Sequence, residues 1–308
     1  MRDPAGLYDF HGDPHAVPTG LPLVAGLTGF ADAGSAVTQL GSYLLEALET
    51  RVVARFDVDE LLDYRARRPT ITFDQDHVSA YESLTLDLHL AKDELGSQFL
   101  LLVGFEPDFR WEQFTSALLQ LIERFQVSTT TWVHAIPMPV PHTRQIGVTV
   151  SGNRTELIES MSIWKPRTQA PANALHRLEF RLQELGHPAA GFVLLIPHYL
   201  ADTEYPAAAV AALEAVSAAT GLIFPTDRLR EEGRDFVAKI DNQVEGNQEL
   251  AKLVGTLEER HDSYMQENPL RSPLTDTDGS LPSADEIAAE LQNFLASRRH
   301  GDEEPLAP

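Results

Sequence analysis

Three stretches of the chain repeat one pattern, in which a continuous apolar run is followed by a turn and then by apolar residues at helical spacing. The apolar runs lie at residues 22–28, 99–104 and 192–196, and the helical patterns follow at 35–49, at 114–125 and from about Pro206. Continuous apolar runs are typical of strands buried on both faces, and apolar residues spaced i, i+3, i+4 predict helices that pack on them. Three such units predict a largely parallel sheet with helices on its faces.

Other segments predict additional strands in the same sheet. The sequence LTLDLHL at 84–90 places leucine at every second position, as a half-buried strand requires. The flanking segments 71–74 and 78–83 complete a predicted meander that extends the sheet. Strands are also predicted at 129–136 and 145–152, joined by the segment PMPVPHTR, whose alternate prolines favour an extended loop. The predicted fold class is therefore α/β with a mixed, mostly parallel sheet.

The pattern becomes helical beyond Pro225. Two apolar stripes, one within 229–244 and one within 250–257, predict helices that cover the α/β body or pack between subunits. Three prolines and many turn-forming residues then predict a linker, and Ser283 with Glu286 forms a capping box for a last helix. The predicted organisation is an α/β domain (1–225), a helical extension (226–267), a linker (268–283), a C-terminal helix (284–299) and a disordered tail (300–308).

Composition excludes several functional classes. The chain has no cysteine, which excludes disulfides, thiolate nucleophiles and cysteine zinc sites. The formal charge of −22 disfavours binding to nucleic acid or to anionic lipid, because such surfaces are themselves negative. The N-terminal sequence lacks the pattern of a secretion signal, and no window is apolar enough for a membrane span. We expect a cytoplasmic protein that binds neither nucleic acid nor membrane.

The turn GLTGFADAGSAVTQL (26–40) is rich in glycine and carries an aspartate at its centre. Its glycine spacing does not match the dinucleotide or phosphate-loop motifs, and the chain has no G-x-S-x-G elbow. Asp32 or Ser35 can instead accept hydrogen bonds from the free amides at the start of the next helix. The alternative hypothesis is a ligand site, because ligands of open α/β sheets bind beyond the carboxyl ends of the strands.

Several polar residues are predicted to lie at those strand ends. The candidate ligand-binding residues are Asp32, Glu106, His142, Arg144 and His198, and further carboxylates follow at Asp108, Asp202 and Glu204. Histidine and carboxylate side chains can act as acid and base, and Arg144 can hold an anionic group. His134 lies within an apolar strand and is interpreted as a core residue. No pair of these residues has a diagnostic metal-ligand spacing, so we expect neither a metal site nor a cofactor.

Four segments together resemble a known family. They are GFADAG (29–34), LLLVGFEPDFRWEQF (100–114), PVPHTR (139–144) and PHYLADTEYPAA (197–208). In this order, over residues 20–240, the chain resembles the bacterial branch of the proteasome assembly chaperone family, the second-subunit type found in actinobacteria. The resemblance implies a three-layer α/β/α fold of the phosphorylase/hydrolase-like kind. It also implies a homo-oligomer, a trimer, with proteasome-related or other proteins as further partners.

Two functions follow as hypotheses. The first is a non-enzymatic protein-binding or assembly protein, favoured by the resemblance and by the lack of a recognisable nucleophile or cofactor motif. The second is a hydrolase- or phosphorylase-like enzyme, or a small-anion binder, whose site gathers Asp32, Glu106, His142, Arg144 and His198 at the strand ends. Catalytic residues are not identified by the sequence.

Overall fold

A computed structural model describes residues 3–165 and 167–268. Within these ranges one sheet contains eight strands in the order β1-β3-β6-β7-β2-β8-β10-β9, and a separate hairpin contains β4 and β5. The strands are β1 (Tyr8–Phe10), β2 (Leu23–Thr28), β3 (Thr50–Phe56), β4 (Thr70–Asp74), β5 (His77–Glu82), β6 (Leu86–Lys92), β7 (Gln98–Phe105), β8 (Thr130–Met138), β9 (Gly147–Gly152) and β10 (Ala189–Pro197).

The centre of the large sheet is parallel and its flanks are antiparallel. Strands β7, β2, β8 and β10 run in one direction, with Val24 opposite Leu101 in one of the parallel pairs. The strands β6 and β9 pair antiparallel with the two sides of this block, and β3 and β1 continue the sheet beyond β6. The prediction of a mixed, mostly parallel sheet is confirmed. As a consequence, the loops after the four central strands share one edge of the sheet, which we call the rim (residues 29–35, 106–110, 139–146 and 198–205).

Helices cover both faces of the sheet. The helices are α1 (Ala36–Ala47), α2 (Val58–Leu61), α3 (Trp111–Arg124), α4 (Thr155–Met161), α5 (Ala174–Glu184), α6 (Pro206–Thr220), α7 (Asp227–Glu245) and α8 (Gln248–Glu267). One core contains side chains of α1 and α6, and the other contains side chains of α3 and α5. Leu101 of β7 belongs to the first core, whereas its neighbours Leu100 and Leu102 belong to the second. The three-layer α/β/α prediction is confirmed.

Amphipathic spacing explains why the helices dock as they do. In α3, Phe114, Leu118 and Leu121 recur at intervals of four and three residues, and all three are buried. Each such side chain contributes roughly 1.5–3 kcal/mol when it leaves water. The helix begins after Arg110, and the Trp111 indole N–H donates to the carbonyl of Pro107 at 2.6 Å.

The predicted meander at 71–90 is only partly correct. Strand β6 joins the large sheet, but β4 and β5 pair only with each other and form a hairpin in which every residue is exposed. No position beside β6 is free for these strands, because β3 and β7 already pair with the two edges of β6. The alternating pattern of β4 and β5 therefore marks an amphipathic hairpin rather than an extension of the sheet.

The C-terminal helices α7 and α8 follow the α/β core, and the chain up to Asn268 forms one compact unit. Phe236, Val237 and Ile240 of α7 pack against the core that contains α6, and Val254 and Leu257 of α8 are buried. The predicted linker, apart from Asn268, and the predicted last helix and tail lie outside the described residues. No helix in the described ranges is long and apolar enough to cross a membrane.

Candidate functional site

The turn after β2 is built around Asp32. Its Oδ1 accepts the backbone N–H of Val37 at 2.8 Å, and its Oδ2 accepts the backbone N–H and the hydroxyl of Thr38 at 2.9 and 2.7 Å. The carboxylate thus satisfies amides in the first turn of α1, as a helix cap does. Gly34 has φ +68°, and an added Cβ would lie 3.2 Å from Tyr205, so a larger residue would be both strained and crowded there.

Glu106 lies at the rim after β7 and is buried. Its Oε1 accepts the backbone N–H of Ala174, the first residue of α5, at 2.6 Å. Burial raises the pKa of Glu106, and the hydrogen bond from Ala174 opposes this shift. Nearby, Asp108 accepts the backbone N–H of Asp63 at 2.7 Å and pairs with Arg67. Both carboxylates of this loop are therefore engaged in contacts that join the rim to neighbouring elements.

His142 is the buried centre of a polar network. Its backbone N–H donates to the Tyr199 hydroxyl oxygen at 2.8 Å, and its ring Nδ1 lies 2.6 Å from the same oxygen. Its Nε2 lies 3.1 Å from Asp241 Oδ1 on α7. With the ring proton on Nε2, Tyr199 donates to Nδ1 and His142 donates to Asp241, so every polar atom of the ring is satisfied. The network joins the proline-rich loop to the turn after β10 and to α7.

Arg144 joins the same loop to α8. Its Nε and one terminal nitrogen contact both carboxylate oxygens of Asp262 at 2.9 and 2.7 Å, and its other terminal nitrogen contacts Glu258 at 3.1 Å. The hydrogen bond to Arg144 lowers the pKa of Asp262 to about 2. The Thr143 hydroxyl also donates to Glu258, at 2.5 Å. We call residues 142–144 with Tyr199, Asp241, Glu258 and Asp262 the clamp, because they tie both C-terminal helices to the rim.

The remaining candidates lie on the surface of the rim. His198, Asp202 and Glu204 are exposed, and the imidazole of His198 packs edge-on against the ring of Tyr199 at 5.4 Å. No cluster of carboxylates and histidines suited to a metal ion occurs among the residues that the structure describes. The imidazole of His198 makes no hydrogen bond to a described residue, whereas the side chains of the other four candidate residues do.

A second histidine of the rim region has a ring that makes no hydrogen bond within the described ranges. His134 of β8 is buried, with its ring stacked on Phe30 at 5.8 Å and edge-on to His176 at 6.3 Å. Burial, and to a smaller extent the neighbouring His176, lowers the pKa of His134 to about 4, whereas Asp32 opposes the shift. The ring is therefore uncharged near neutral pH and acts as an apolar surface beneath the half-exposed Phe30.

The five predicted ligand residues occupy separate environments along the rim. His142, Arg144 and His198 gather around Tyr199 and the C-terminal helices, Asp32 caps α1, and Glu106 contacts α5 on the other side of the sheet. No hydrogen bond or ion pair among the described residues joins any of the five to another. Their use as one ligand site stays a prediction. The clamp residues Tyr199, Asp241, Glu258 and Asp262 were absent from the sequence-based set. The four-residue spacing of Glu258 and Asp262, which places both on one face of α8, was the available signal.

Comparison with known proteins identifies the family. A sequence model described as the PAC2 family matches residues 26–244, which is most of the chain. The chain belongs to the PAC2 family. The resemblance inferred from GFADAG, PVPHTR and the other two segments is thereby confirmed. A search of curated proteins found no match.

Solved structures are similar to the chain over most of its length. A protein of unknown function from Corynebacterium glutamicum is 34% identical, with a TM-score of 0.82, and the match covers 85% of this chain and 98% of that one. A Mycobacterium tuberculosis protein of unknown function is 40% identical, with a TM-score of 0.79 and coverage of 85% and 92%. A Mycobacterium tuberculosis proteasome-assembly chaperone homologue shares the fold at 23% identity, with a TM-score of 0.69 and coverage of 76% and 100%.

Proposed function

We propose that the protein is a non-enzymatic, chaperone-like homo-oligomer that binds other proteins in the cytoplasm, with proteasome-related proteins as the partner class. Membership of the PAC2 family and structural similarity to a proteasome-assembly chaperone homologue support this role. The observation that carries the proposal is the hairpin of β4 and β5, whose apolar face is open to solvent.

Strand register places the large apolar side chains of the hairpin on one face. Ile71 lies opposite Tyr81, and Phe73 lies opposite Val78, so these two cross-strand pairs share a face. Their exposed fractions are 50%, 59%, 64% and 51%. The other face carries Thr70, Thr72, Asp74, His77 and Glu82. An isolated two-stranded hairpin is marginally stable in water, so an apolar face of this kind requires a partner surface.

A second copy of the chain is the partner best matched by charge. The body is acidic, with a net charge of −22 over the sequence, whereas Arg65 and Arg68 at the base of the hairpin are exposed and form no ion pair with a described residue. These arginines are complementary to the acidic surface of a neighbouring subunit. A hairpin that docks on a different surface of its neighbour makes a heterologous contact, which closes into a ring when the rotation between neighbouring subunits is a whole fraction of a full turn. We propose a ring of three subunits, in which every subunit both donates and receives a hairpin.

The rim offers the surface for other proteins. Phe30 and Phe109, in the loops after β2 and β7, are 40% and 50% exposed. Exposed aromatic side chains are typical anchors of protein interfaces. The candidate acid and base residues Asp32, Glu106 and His142 are engaged in internal hydrogen bonds. This supports binding rather than catalysis.

The test replaces Ile71 and Phe73 by aspartate and measures mass by light scattering. Wild-type protein is expected at three times 34.1 kDa and the double variant at one copy, with unchanged helical signal in circular dichroism. Thr72→Asp, on the polar face of the same strand, is the control and should keep the wild-type mass. A wild-type monomer, or dissociation by the control alone, would overturn the assembly proposal.

Partner binding is tested separately, by affinity purification of the wild-type chain and of a Phe30→Asp, Phe109→Asp double variant. Proteasome-related proteins should accompany the wild type and be depleted with the double variant, which should keep the oligomer mass. Equal recovery of those proteins with both chains, or recovery with neither, would contradict this part of the proposal.

A further inference from the structure

A groove of about 600 Å³ lies between α6 and α7. Its lining includes neither the hairpin nor Glu106, the candidate residue that contacts α5. Its apolar wall includes Val210 on α6, Leu229 and Val237 on α7, and Ile146 at the end of the rim loop 139–146. This volume lies within the range of small-molecule sites, which are commonly apolar clefts with a few well-placed polar groups. The shape therefore admits a compact organic ligand.

The Tyr205 hydroxyl is a polar group of the groove that has no hydrogen-bond partner among the described residues. Tyr205 lines the groove and is 2% exposed, and its hydroxyl makes no hydrogen bond to a described residue. Its ring is fixed against Phe236, with ring centroids 5.4 Å apart. Burial raises the pKa of Tyr205 to about 12, so the hydroxyl keeps its proton and is a donor at neutral pH. The hydroxyl is reached from the groove rather than sealed in the core, so an acceptor on a ligand can receive its hydrogen bond.

One arginine of the groove is available to an anion. Its lining contains three arginines, Arg144, Arg230 and Arg234, and two carboxylates, Glu214 and Asp241. Arg144 pairs with Asp262, and Arg230 pairs with Glu214. Arg234 is exposed and forms no ion pair with any residue in the described ranges. These pairings balance Arg144 and Arg230, so Arg234 is the cation of the lining that no described carboxylate pairs with, and it can pair with an anionic group on a ligand.

We propose that this groove binds a small organic anion, with an apolar or aromatic body and one carboxylate, sulfonate or phosphate group. The body lies against Val210, Leu229 and Val237, an acceptor on the ligand receives the Tyr205 hydroxyl proton, and Arg234 pairs with the anionic group. This site is independent of the oligomer contact and goes beyond the proposed function.

The experiment uses two matched fluorescent probes, 8-anilinonaphthalene-1-sulfonate and the uncharged 1-anilinonaphthalene, which lacks the sulfonate. The protein is the full chain carrying Ile71→Asp and Phe73→Asp, so that the hairpin does not bind probe. Saturable binding of the sulfonate with one site per chain, tighter than that of the uncharged probe, is expected. Equal affinity for both probes, or binding without saturation, would overturn the proposal.

Three variants in that background locate the probe. Arg234→Gln should weaken sulfonate binding by about tenfold, as expected for loss of a charge-assisted contact, and leave the uncharged probe unaffected. Ala211→Phe fills the groove from the partly buried side of α6 and should abolish the binding of both probes. Ala218→Phe, at an exposed position two turns further along the same helix and outside the groove lining, is the control and should change neither.

Two outcomes of these measurements contradict the assignment. An unchanged sulfonate affinity in Arg234→Gln or in Ala211→Phe places the probe elsewhere. Displacement of the probe by hexaglutamate but not by naphthoate would make the groove a surface for acidic peptides, and the small-molecule proposal would be wrong.

Discussion

The hairpin and the clamp differ in which groups they leave unsatisfied. In the clamp, the polar atoms of His142 and Arg144 are paired with Tyr199, Asp241 and Asp262. In the hairpin, four large apolar side chains are half exposed or more, and no other element of the described chain covers them. The clamp, whose histidine and arginine suggest chemistry in the sequence, thus has these polar groups paired within the chain. The hairpin, which looks like an ordinary strand pair in the sequence, leaves apolar surface uncovered.

This difference indicates where to look for function in the molecule. Buried histidine and arginine side chains need partners, so a paired group is explained by the fold itself. Exposed apolar surface has no such internal explanation and points to association with another surface. The clamp therefore supports the architecture, whereas the hairpin and the aromatic residues of the rim are the stronger candidates for intermolecular contact.

The largest expected effect comes from opening the clamp at its buried member. His142→Leu leaves the Tyr199 hydroxyl and Asp241 without their shared partner, and we expect the free energy of unfolding to fall by about 2–4 kcal/mol. Chemical denaturation at neutral pH measures this change. His198→Leu is the control, because the His198 imidazole lies beside Tyr199 but is exposed and makes no hydrogen bond to a described residue, and this variant should lose less than about 0.5 kcal/mol. Equal losses in the two variants would show that the hydrogen bonds of His142 contribute no more to stability than the exposed His198 side chain does.

His134 is buried and its ring makes no hydrogen bond to a described residue, whereas both ring nitrogens of His142 have a partner. The folded-state pKa of His134 is about 4, below its ordinary value, so below about pH 6.5 the unfolded chain takes up a proton that the folded chain excludes. Stability from this residue is present above that pH and is lost as the pH falls to about 4. The total loss from His134 is about 3 kcal/mol.

Denaturation of wild type and His134→Phe at several pH values between 4 and 7 isolates this contribution. Glu106 and Glu179 have raised pKa values, so their contributions to the free energy of unfolding are lost as the pH rises, in the opposite direction. Both residues are present in the wild type and in the variant, so these contributions cancel in the comparison. The variant, in which a phenyl ring can retain the packing on Phe30, should lose less stability on acidification. Parallel pH curves would mean that His134 is not desolvated in the folded chain.

Sequence patterns predicted the elements whose signal is local. The runs that became β2, β7 and β10 are continuously apolar because helices cover both faces, and the stripes of α1, α3 and α6 followed from helical spacing. Strand β3 was not predicted, because a register shift between Val52 and Ala54 and the polar Arg55 interrupt its alternation. Arg55 is accommodated by an ion pair with Asp87 on β6, which no local pattern indicates.

The candidate site was predicted less completely than the fold, for a physical reason. His142 and Arg144 were identified from the proline-rich loop, but their partners Asp241 and Asp262 lie 99 and 118 residues further along the chain. Only packing of α7 and α8 brings them together. In the hairpin, alternation was visible in sequence, but its meaning depended on whether the large sheet had a free edge beside β6.

The smallest expected effect is that of replacing Arg144, the partly exposed arginine of the clamp. The ion pairs of Arg144 are partly exposed and contribute little to global stability, but they hold α8 to the loop at 139–144. Arg144→Gln should therefore speed hydrogen exchange in the backbone of α8 while α6 and the unfolding midpoint remain unchanged. Arg177→Gln removes a comparable bidentate pair with Glu112, which joins α5 to α3, and should leave α8 unaffected. If exchange in α8 were the same in the wild type and in Arg144→Gln, apolar packing through Val254 and Leu257 alone would hold the helix, and the clamp would reduce to its buried network at His142.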